Sequence, residues 1–506
     1  MVNNRNDIKK MIKNNTNQLD NQECGEKIIN LYNDLKSSRS QLEKLWEQVI
    51  TFVRPQKCVN PDGGKEIYDS TALLCAENLV SGLWSLINSS AGSWFYLKSS
   101  NNNNKSKTKK WLIDVGDILK NNLAKSESGF YYKSYEFYAD LVCFGTAIFY
   151  MTENVENKQI SYQPLNLMDT YLSKAGNNID VVIRRINFSA TEAVEFFGYD
   201  NVSTQIQESY KKGERENFII LHCVSPEWYL AQDYLKIKKM KFSSIYVELA
   251  TSKVLLKSGY YEFPFMISRW SSNATQLYGQ SPAMNVLADI KMLNAMSKSA
   301  LIATQKMVDP PLLAPFESAI EGMKTLPGGI IYGGIDPISG NQLIKPLNLG
   351  GDLSNTYILQ DQRRQSIKEA FYHSLLLYIY SNNATATEVL SINDQKIKIL
   401  GSKIARIQSE FLYPLIKRQL HILNRLNLLP QDGAINIDDI EIEFISSFNM
   451  QHQLLNTIPL EDLKRSLHLV SEFYPQMVDS INWQELLKIL AKNYNLPEQI
   501  FNEKGD

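Results

Sequence analysis

Pro282 opens the stretch PAMNVLADIKMLNAMSKSALIATQK, which runs to Lys306 and decides the fold. Proline is favoured in the first turn of a helix, and about 25 helical residues would span roughly 37 Å. Small or lightly polar side chains, which let neighbouring backbones approach closely, are Ala283, Ala288, Ala295, Ser297, Ser299, Ala300 and Ala303. With so few large apolar residues, such a helix would be poorly stable alone. The stretch therefore predicts a long helix that needs lateral neighbours.

The residues after Lys306 turn the chain back. Pro310 and Pro311 stop the helix, and a proline- and glycine-rich segment continues to Gly340. A second long helix is predicted at 353–377. This order predicts an out-and-back helical hairpin with a small tip, and repetition of the chain around a closed ring would bury both flanks of each hairpin.

A short polar loop and a third long helix are predicted next. Thr385 and Glu388 have the spacing of a capping box at the start of this helix. Its apolar residues fall on one stripe, and Pro414 should kink it. The loop before it is therefore held between two long helices.

Towards the ends of the chain the pattern is mixed. A helix is predicted at about Ile28–Val53 from apolar residues at a period near 3.6. From Thr146 to Trp270, β-branched and aromatic segments separated by turns predict mostly antiparallel sheet, with a helical insertion near Thr191–Phe197. A further strand is predicted at 435–444. The fold class expected from these patterns is α+β.

Composition excludes several classes of protein. The 506 residues contain 53 Lys and Arg against 54 Asp and Glu, so the protein is not expected to bind nucleic acid through an overall positive charge. Five widely spaced cysteines without a CxxC argue against a disulfide scaffold or zinc site. The polar start, Met1–Asn15, does not resemble a signal peptide, and no apolar run is long enough to span a membrane.

No catalytic constellation stands out. The motifs GxxxxGK[ST], GxSxG and HExxH are absent, and the five histidines are not paired at metal-ligand spacing. Asp439, Glu441 and Glu443 alternate on a predicted strand, and two-metal nucleases use clustered carboxylates, but a solvated strand face gives this pattern more often. We therefore predict a protein that is not an enzyme and has no catalytic residue, cofactor or metal. A metal-dependent nuclease is the less favoured alternative.

Five segments, in order, are similar to one family. They are YDSTALLCAENLVSGLWSLINSSAGSWFYL (Tyr68–Leu97), YGQSPAMNVLADIKMLN (Tyr278–Asn294), VDPPLLAP (Val308–Pro315), ATATEVL (Ala384–Leu390) and SEFLYPLIKRQL (Ser409–Leu420). Through them the chain resembles the head-to-tail connector, or portal, proteins of short-tailed, podovirus-type bacteriophages. The resemblance covers roughly residues 28–430.

The resemblance implies a structural ring, usually a dodecamer, at one capsid vertex of the virion, assembled in the host bacterial cytoplasm. Double-stranded DNA would pass nonspecifically through its axis during packaging and ejection. The implied protein partners are terminase, the major capsid and scaffolding proteins, and tail adaptor or nozzle proteins, with no membrane. A different virion component, such as a tail adaptor, is the alternative within this class.

The implied portal fold has a mixed wing domain, long stem helices, a small α/β clip and a helical crown. The expected domains are a flexible N-terminal arm 1–27, a wing 28–281, a first stem helix 282–306, a clip 307–352, a second stem helix 353–377, a tunnel loop 378–386, a long kinked wing helix 387–430 and a C-terminal wing and crown region 431–506.

The resemblance also implies roles for particular residues. In the tunnel loop, the residues expected to face DNA are Ser381, Asn382 and Asn383. These side chains carry no charge, which suits weak contacts that exchange with water while DNA slides. Basic stem residues, which can contact DNA or a neighbouring subunit, are Lys298, Arg363, Arg364 and Lys368. Independently of the resemblance, basic residues on the third helix can meet phosphates at Lys396, Lys398, Lys403 and Arg406, although an ion pair or a solvent-facing position is the more common role of such residues. Clip residues expected to dock terminase and tail are Pro310, Pro311, Pro327, Gly328 and Gly329.

Overall fold

The structure is a computed structural model that describes most of the chain. The described residues are 4–57, 67–88, 94–99, 106–154, 157–176, 178–229, 240–273, 276–313, 335–336, 338–347, 354–374, 399–430 and 436–444. In these residues long helices surround antiparallel sheets, so the α+β class expected from the sequence is confirmed.

The elements of the described residues follow one another in a mixed order. The helices are α1 Asn4–Val53, α2 Thr71–Ile87, α3 Ser106–Ala124, α4 Phe130–Phe144, α5 Ala190–Phe197, α6 Thr204–Lys212, α7 Leu287–Val308, α8 Ser354–Ala370 and α9 Tyr413–Arg425. The strands are β1 Phe95–Ser99, β2 Thr146–Asn154, β3 Gln159–Leu165, β4 Thr170–Ser173, β5 Val181–Ser189, β6 Asn217–Pro226, β7 Phe242–Glu248, β8 Val254–Tyr260, β9 Phe265–Arg269, β10 Leu312–Leu313, β11 Lys345–Pro346 and β12 Ile440–Phe444. A helical turn, Pro282–Asn285, precedes α7, and residues 399–407 lead through the π-helical turn Gln408–Leu412 into α9.

α1 is 50 residues long and begins at Asn4, far ahead of the start near Ile28 that the apolar period predicts. The segment 1–27, expected to be an arm, is therefore helical from Asn4 onward. Its first residues are mostly polar and rich in Asn, and the few apolar ones, such as Ile8, Met11 and Ile12, do not continue the apolar period seen after Ile28. The continuous helix reaches the sheets before Ile28, because Cys24 is already buried against them.

The region predicted to be mostly antiparallel sheet, Thr146–Trp270, contains two antiparallel sheets. One has five strands in the order β4-β5-β6-β7-β8, and the other has three in the order β3-β2-β9. The predicted helical insertion is present as α5, and α6 follows it. The strand predicted at 435–444 is the shorter β12, which pairs with β1 in a separate sheet.

The five-stranded sheet is covered on both faces. Leu221 and Cys223 of β6 pack with residues of α1, whereas Phe218 and Ile220 of the same strand pack with residues of α5 and α6. This alternation is the two-residue period of a strand. It also separates His222 from its neighbour Cys223, which therefore do not form a catalytic pair.

The main core lies between the three-stranded sheet and the helices. Phe137 of α4 stacks on Phe411 of the π-helical turn with ring centroids 4.0 Å apart, and Phe149 of β2 meets Phe411 edge-on at 5.3 Å. Offset and edge-to-face aromatic pairs of this kind add to the burial of their apolar surface. The core therefore fixes the helix around residue 411 onto the sheet that precedes α7 in the chain.

A buried histidine lies between the two larger sheets. The His222 ring stacks on Tyr246 with centroids 4.1 Å apart, and its Nε2 lies 3.0 Å from Ser244 Oγ. Burial, and secondarily the charge of Arg184, holds the pKa of His222 well below its usual 6.5. Tyr150 also faces the ring, and no carboxylate of the described residues offsets the burial. The imidazole is therefore neutral in the folded protein.

Lowering the pH below 6.5 is expected to reduce the free energy of unfolding more steeply in the natural protein than in the variant His222→Phe. Below 6.5 the unfolded chain binds a proton at this position that the folded chain does not bind. The stability from this group is complete above 6.5 and is lost as the pH falls toward the folded pKa, at about 1.4 kcal/mol per pH unit. Urea unfolding at about pH 7.5, 6 and 5 measures the difference, and parallel pH profiles would contradict a neutral buried histidine.

Candidate functional site

The inner halves of α7 and α8 are fixed to the body of the protein. Ile290 and Leu293 of α7 and Ile367 of α8 are buried in the main core. Between the helices, Arg363 Nη1 donates to Asp289 Oδ1 at 3.1 Å. α8 also packs on α2, so the base of the hairpin is attached to the core. The hairpin formed by α7 and α8 is called the stem here.

A close backbone crossing sets where the stem begins. Gly145 ends α4 in the left-handed region, with φ 75°, and a Cβ there would lie 2.6 Å from the carbonyl oxygen of Gly279. Gly279 in turn donates its backbone N–H to Thr146 Oγ1 at 2.7 Å. Two residues later, Ser281 Oγ accepts the N–H of Met284 at 2.9 Å and donates to the carbonyl of Cys143 at 2.8 Å. The crossing thus joins the end of α4 to the turn that starts the stem.

The basic residues predicted on the stem are Lys298, Arg363, Arg364 and Lys368. Three of them are engaged within the protomer. Lys298 Nζ lies 5.3 Å from the centre of the Tyr68 ring, and Arg364 Nε donates to Asp69 Oδ2 at 2.9 Å, while Arg363 holds Asp289. Within this set, Lys298, Arg363 and Arg364 therefore contact side chains of the same protomer, whereas Lys368 forms no ion pair with a described residue.

The outer halves of the two helices expose apolar side chains. Val308 of α7 is 80% exposed, and Ile358 of α8 is 56% exposed. The set, called here the stem face, is Leu301, Ile302, Met307, Val308, Tyr357, Ile358 and Leu359. Contiguous exposed apolar residues on a soluble protein mark an interaction surface. Three successive residues on a helix cannot all face one core, so the apolar run Tyr357-Ile358-Leu359 indicates an exposed apolar surface. The prediction from the sequence did not use this signal.

At the tip of the stem, the structure describes a small antiparallel pair of strands. β10 pairs with β11, and Leu347 donates its N–H to the carbonyl of Pro311 at 2.8 Å. Pro310 and Pro311 lie directly between α7 and β10, which agrees with the predicted end of the first long helix. The other predicted clip residues, Pro327, Gly328 and Gly329, lie outside the described residues.

The second long helix is interrupted within its predicted range. α8 ends at Ala370 because Tyr372 adopts a positive φ of 56°, whereas residues 373–374 are helical again and residues 375–377 lie outside the described residues. The Tyr372 ring lies 6.2 Å from the Trp270 ring, a contact that sequence periodicity cannot show. The predicted tunnel-loop residues Ser381, Asn382 and Asn383 lie outside the described residues.

The third long helix is irregular close to the predicted kink. Pro414 lacks the N–H that an α-helix would use, and the backbone before it forms the π-helical turn, in which Tyr413 N–H bonds to the carbonyl of Gln408. Glu410 in this turn accepts the backbone N–H of Arg269 at 2.8 Å and its Nη2 at 2.7 Å. The irregular turn therefore attaches the helix to the end of β9.

The predicted alternating carboxylates lie in and beside the β1–β12 sheet. Glu443 forms an ion pair with Lys98, while Asp439 lies just before β12. Across the described part of the chain, no group of three or more His, Cys, Asp or Glu side chains could hold a metal ion. In the same residues no helix is both long and apolar enough to cross a membrane.

Comparison with known proteins adds to this geometry. A sequence model of the family described as bacteriophage head to tail connecting protein matches residues 25–501. The portal protein of Salmonella phage epsilon15 is 27% identical over 487 residues, which cover 92% of this chain and 87% of that protein. A probable portal protein of Bordetella phage BPP-1 is 24% identical over 475 residues, covering 90% and 84%. These matches extend through every element described above from α2 onward.

Proposed function

The chain belongs to the bacteriophage head to tail connecting protein family, and from this premise we propose how it works as a structural portal protein. Copies assemble into a closed ring, expected to be a dodecamer, at one capsid vertex of the virion. Double-stranded DNA passes through the axis of the ring without sequence-specific contacts. The observation that carries the function is the family match across residues 25–501, nearly the whole chain.

The stem face is the structural observation that favours ring formation. Its apolar side chains, among them Leu301 and Ile358, lie on the outer halves of helices whose inner halves are fixed to the core. Heterologous contacts that close by rotation would place α7 and α8 of one copy against those of the next. Burying this surface between copies would supply the stability that the helices lack on their own.

The remaining parts of the proposal follow the expected domains. The wing, residues 28–281, contacts capsid and scaffolding proteins, and the clip, residues 307–352, docks terminase and later the tail adaptors. Loop 378–386 faces the DNA, and residues 431–506 complete the wing and crown. The paired strands β10 and β11 at the tip of the stem support a docking role, because their residues Leu312 and Leu313 are exposed.

Interrupting the gene for this chain in its phage is expected to give capsids without packaged DNA. A portal is the entry point for the genome, so particles that lack it cannot be filled. Counting DNA-filled particles by electron microscopy after infection measures the effect, and a plasmid copy of the gene should restore filled particles. The same plasmid with an early stop codon is the control. Normal numbers of filled particles without the chain would contradict the proposal.

A further inference from the structure

Arg39 of α1 is buried, with 1% of its surface exposed, and each N–H of its guanidinium has a partner. Nε and Nη2 donate to Glu43 on the next turn, at 2.9 and 2.7 Å. The other N–H groups donate to the main-chain carbonyls of Leu167 at 2.9 Å, Met168 at 2.8 Å and Thr170 at 2.6 Å. A buried arginine whose charge is paired and whose donors are all used permits few other arrangements of its neighbours. Arg39 therefore fixes α1 to the start of β4.

Aromatic rings surround the same guanidinium. Its centre lies 3.8 Å from the centre of the Tyr171 ring of β4 and 5.8 Å from that of the Tyr278 ring. Tyr278 also meets Trp46 of α1 edge-on, with ring centres 5.4 Å apart, and its hydroxyl accepts the main-chain N–H of Leu172 at 3.1 Å. Cation–π contacts and edge-to-face pairs both favour particular ring orientations. Tyr278 is therefore held by α1 and β4 together.

Tyr278 lies in the segment that leads into the stem. The next residue, Gly279, crosses Gly145 at the end of α4, and Ser281 bonds to the last turn of the same helix. The segment is thus attached to α4 at Gly279 and Ser281, and to α1 and β4 at Tyr278. One attachment alone would leave the segment free to rotate, whereas separate attachments to different elements fix the direction in which the stem leaves the body.

α1 also contacts the stem itself. Lys291 of α7 donates from Nζ to Gln48 Oε1 of α1 at 3.0 Å. The same helix therefore contacts the segment before the stem, through Arg39 and Trp46, and the first turns of the stem, through Gln48. A change in how Tyr278 packs against α1 would consequently change the tilt of the stem against the body.

We infer that the contacts of Tyr278 with Arg39, Trp46 and Leu172, called here the stem joint, set how many copies close the ring. The inference rests on the proposed portal function, in which copies meet through heterologous contacts. In such a ring, the rotation from one copy to the next depends on the angle between the two surfaces that each copy presents. Neighbouring stems and neighbouring bodies must fit side by side at the same time, so the tilt of the stem against the body determines that angle.

Small changes of tilt are sufficient. A ring of about 12 copies turns by about 30° per copy, and one copy more or fewer changes that rotation by about 2–3°. Across a helix about 10 Å wide, a displacement of about 0.5 Å at one side tilts the helix by about 3°. Replacing the Tyr278 ring with a smaller side chain leaves room for such a displacement beside Arg39 and Trp46.

Native mass spectrometry of rings formed by the full-length protein tests the inference by counting the copies in each ring. The unmodified protein is expected to give one main copy number. Tyr278→Leu, which loses the ring contacts and the hydroxyl, should give rings with one copy more and one copy fewer beside the main species. Tyr278→Phe, which keeps the ring but not the hydroxyl, should widen the distribution less. Circular dichroism and urea unfolding check that both variants are folded.

Tyr150→Leu is the matched control. Tyr150 is more buried than Tyr278, stacks on Phe265 with ring centres 4.8 Å apart and shares a hydrogen bond of 2.8 Å with the Tyr260 hydroxyl. It lies between the two larger sheets and makes none of the contacts of the stem joint. Its loss should therefore lower the urea midpoint at least as much as Tyr278→Leu does, without changing the copy number.

An unchanged copy number in Tyr278→Leu, or the same widening in the control, would overturn the inference. If Tyr278→Leu forms no rings, the same comparison is made with Tyr278→Phe. Loss of rings in both Tyr278 variants would also overturn it, because the joint would then be needed for assembly and not for the copy number. Unmodified protein that forms no rings would contradict the proposed function itself, whereas rings of unchanged copy number in the variants contradict only the role of the stem joint.

Discussion

Replacing Leu301 and Ile358 with glutamate is expected to leave a folded protomer that no longer forms rings. These side chains are 49% and 56% exposed, so the change should scarcely affect the core. In a ring, however, the added carboxylates would be buried without partners at every contact between neighbours. That penalty is about 2–5 kcal/mol per contact, and it recurs around the whole ring.

Light scattering after size-exclusion chromatography measures this result as a fall from ring mass to protomer mass. The matched control is Ile113→Glu/Tyr132→Glu, which changes two side chains of similar exposure on α3 and α4, away from the stem. Circular dichroism checks that both variants are folded. Full ring mass in the stem variant, or equal loss in both variants, would contradict the assignment of the stem face.

Changing Gly145 to alanine is expected to destabilise the protein by about 4 kcal/mol and to reduce ring formation. An alanine at φ 75° is strained by about 1 kcal/mol, and its Cβ would also press on the Gly279 carbonyl that it would approach to 2.6 Å. Relief of this collision must move either α4 or the turn before the stem. Because the stem leaves the core from that turn, neighbouring stem faces would no longer align.

Gly213 offers a matched control for this prediction. It also ends a helix in the left-handed region, with φ 66°, but a Cβ there would meet no atom within 4 Å. Gly213→Ala should therefore show only the cost of backbone strain, about 1 kcal/mol. Urea unfolding of both variants gives the comparison. Equal losses of stability would show that the crossing of Gly145 and Gly279 does not constrain the stem.

Local patterns in the sequence predict the long elements well. The first stem helix was expected at 282–306 and is present as the turn Pro282–Asn285 followed by α7, because Val286 lies between them outside helical geometry. The proline at 414 correctly indicates an irregular third helix, although the sequence does not show that the irregular turn is π-helical or that its Glu410 binds Arg269. Periodicity and proline positions are properties of a short segment, so they can be interpreted without the tertiary fold.

Features that depend on distant contacts were not predictable. The interruption of α8 lies at Tyr372, whose ring contacts that of Trp270, about 100 residues earlier in the chain. Likewise, the sequence shows Arg364 and Lys403 as equal candidates for phosphate, and only the structure reveals that Asp69 holds the former. Pairing across hundreds of residues leaves no local signal. Residues 381–383 lie outside the described residues, so their DNA-facing role stays a prediction.

The most direct test of the account is a three-dimensional reconstruction of the purified, unmodified protein by electron cryo-microscopy. We expect a closed ring with a central channel, in which Leu301 and Val308 of one copy contact Tyr357 or Ile358 of the next. Particles that are only monomeric, or a ring in which those four side chains face solvent, would contradict it.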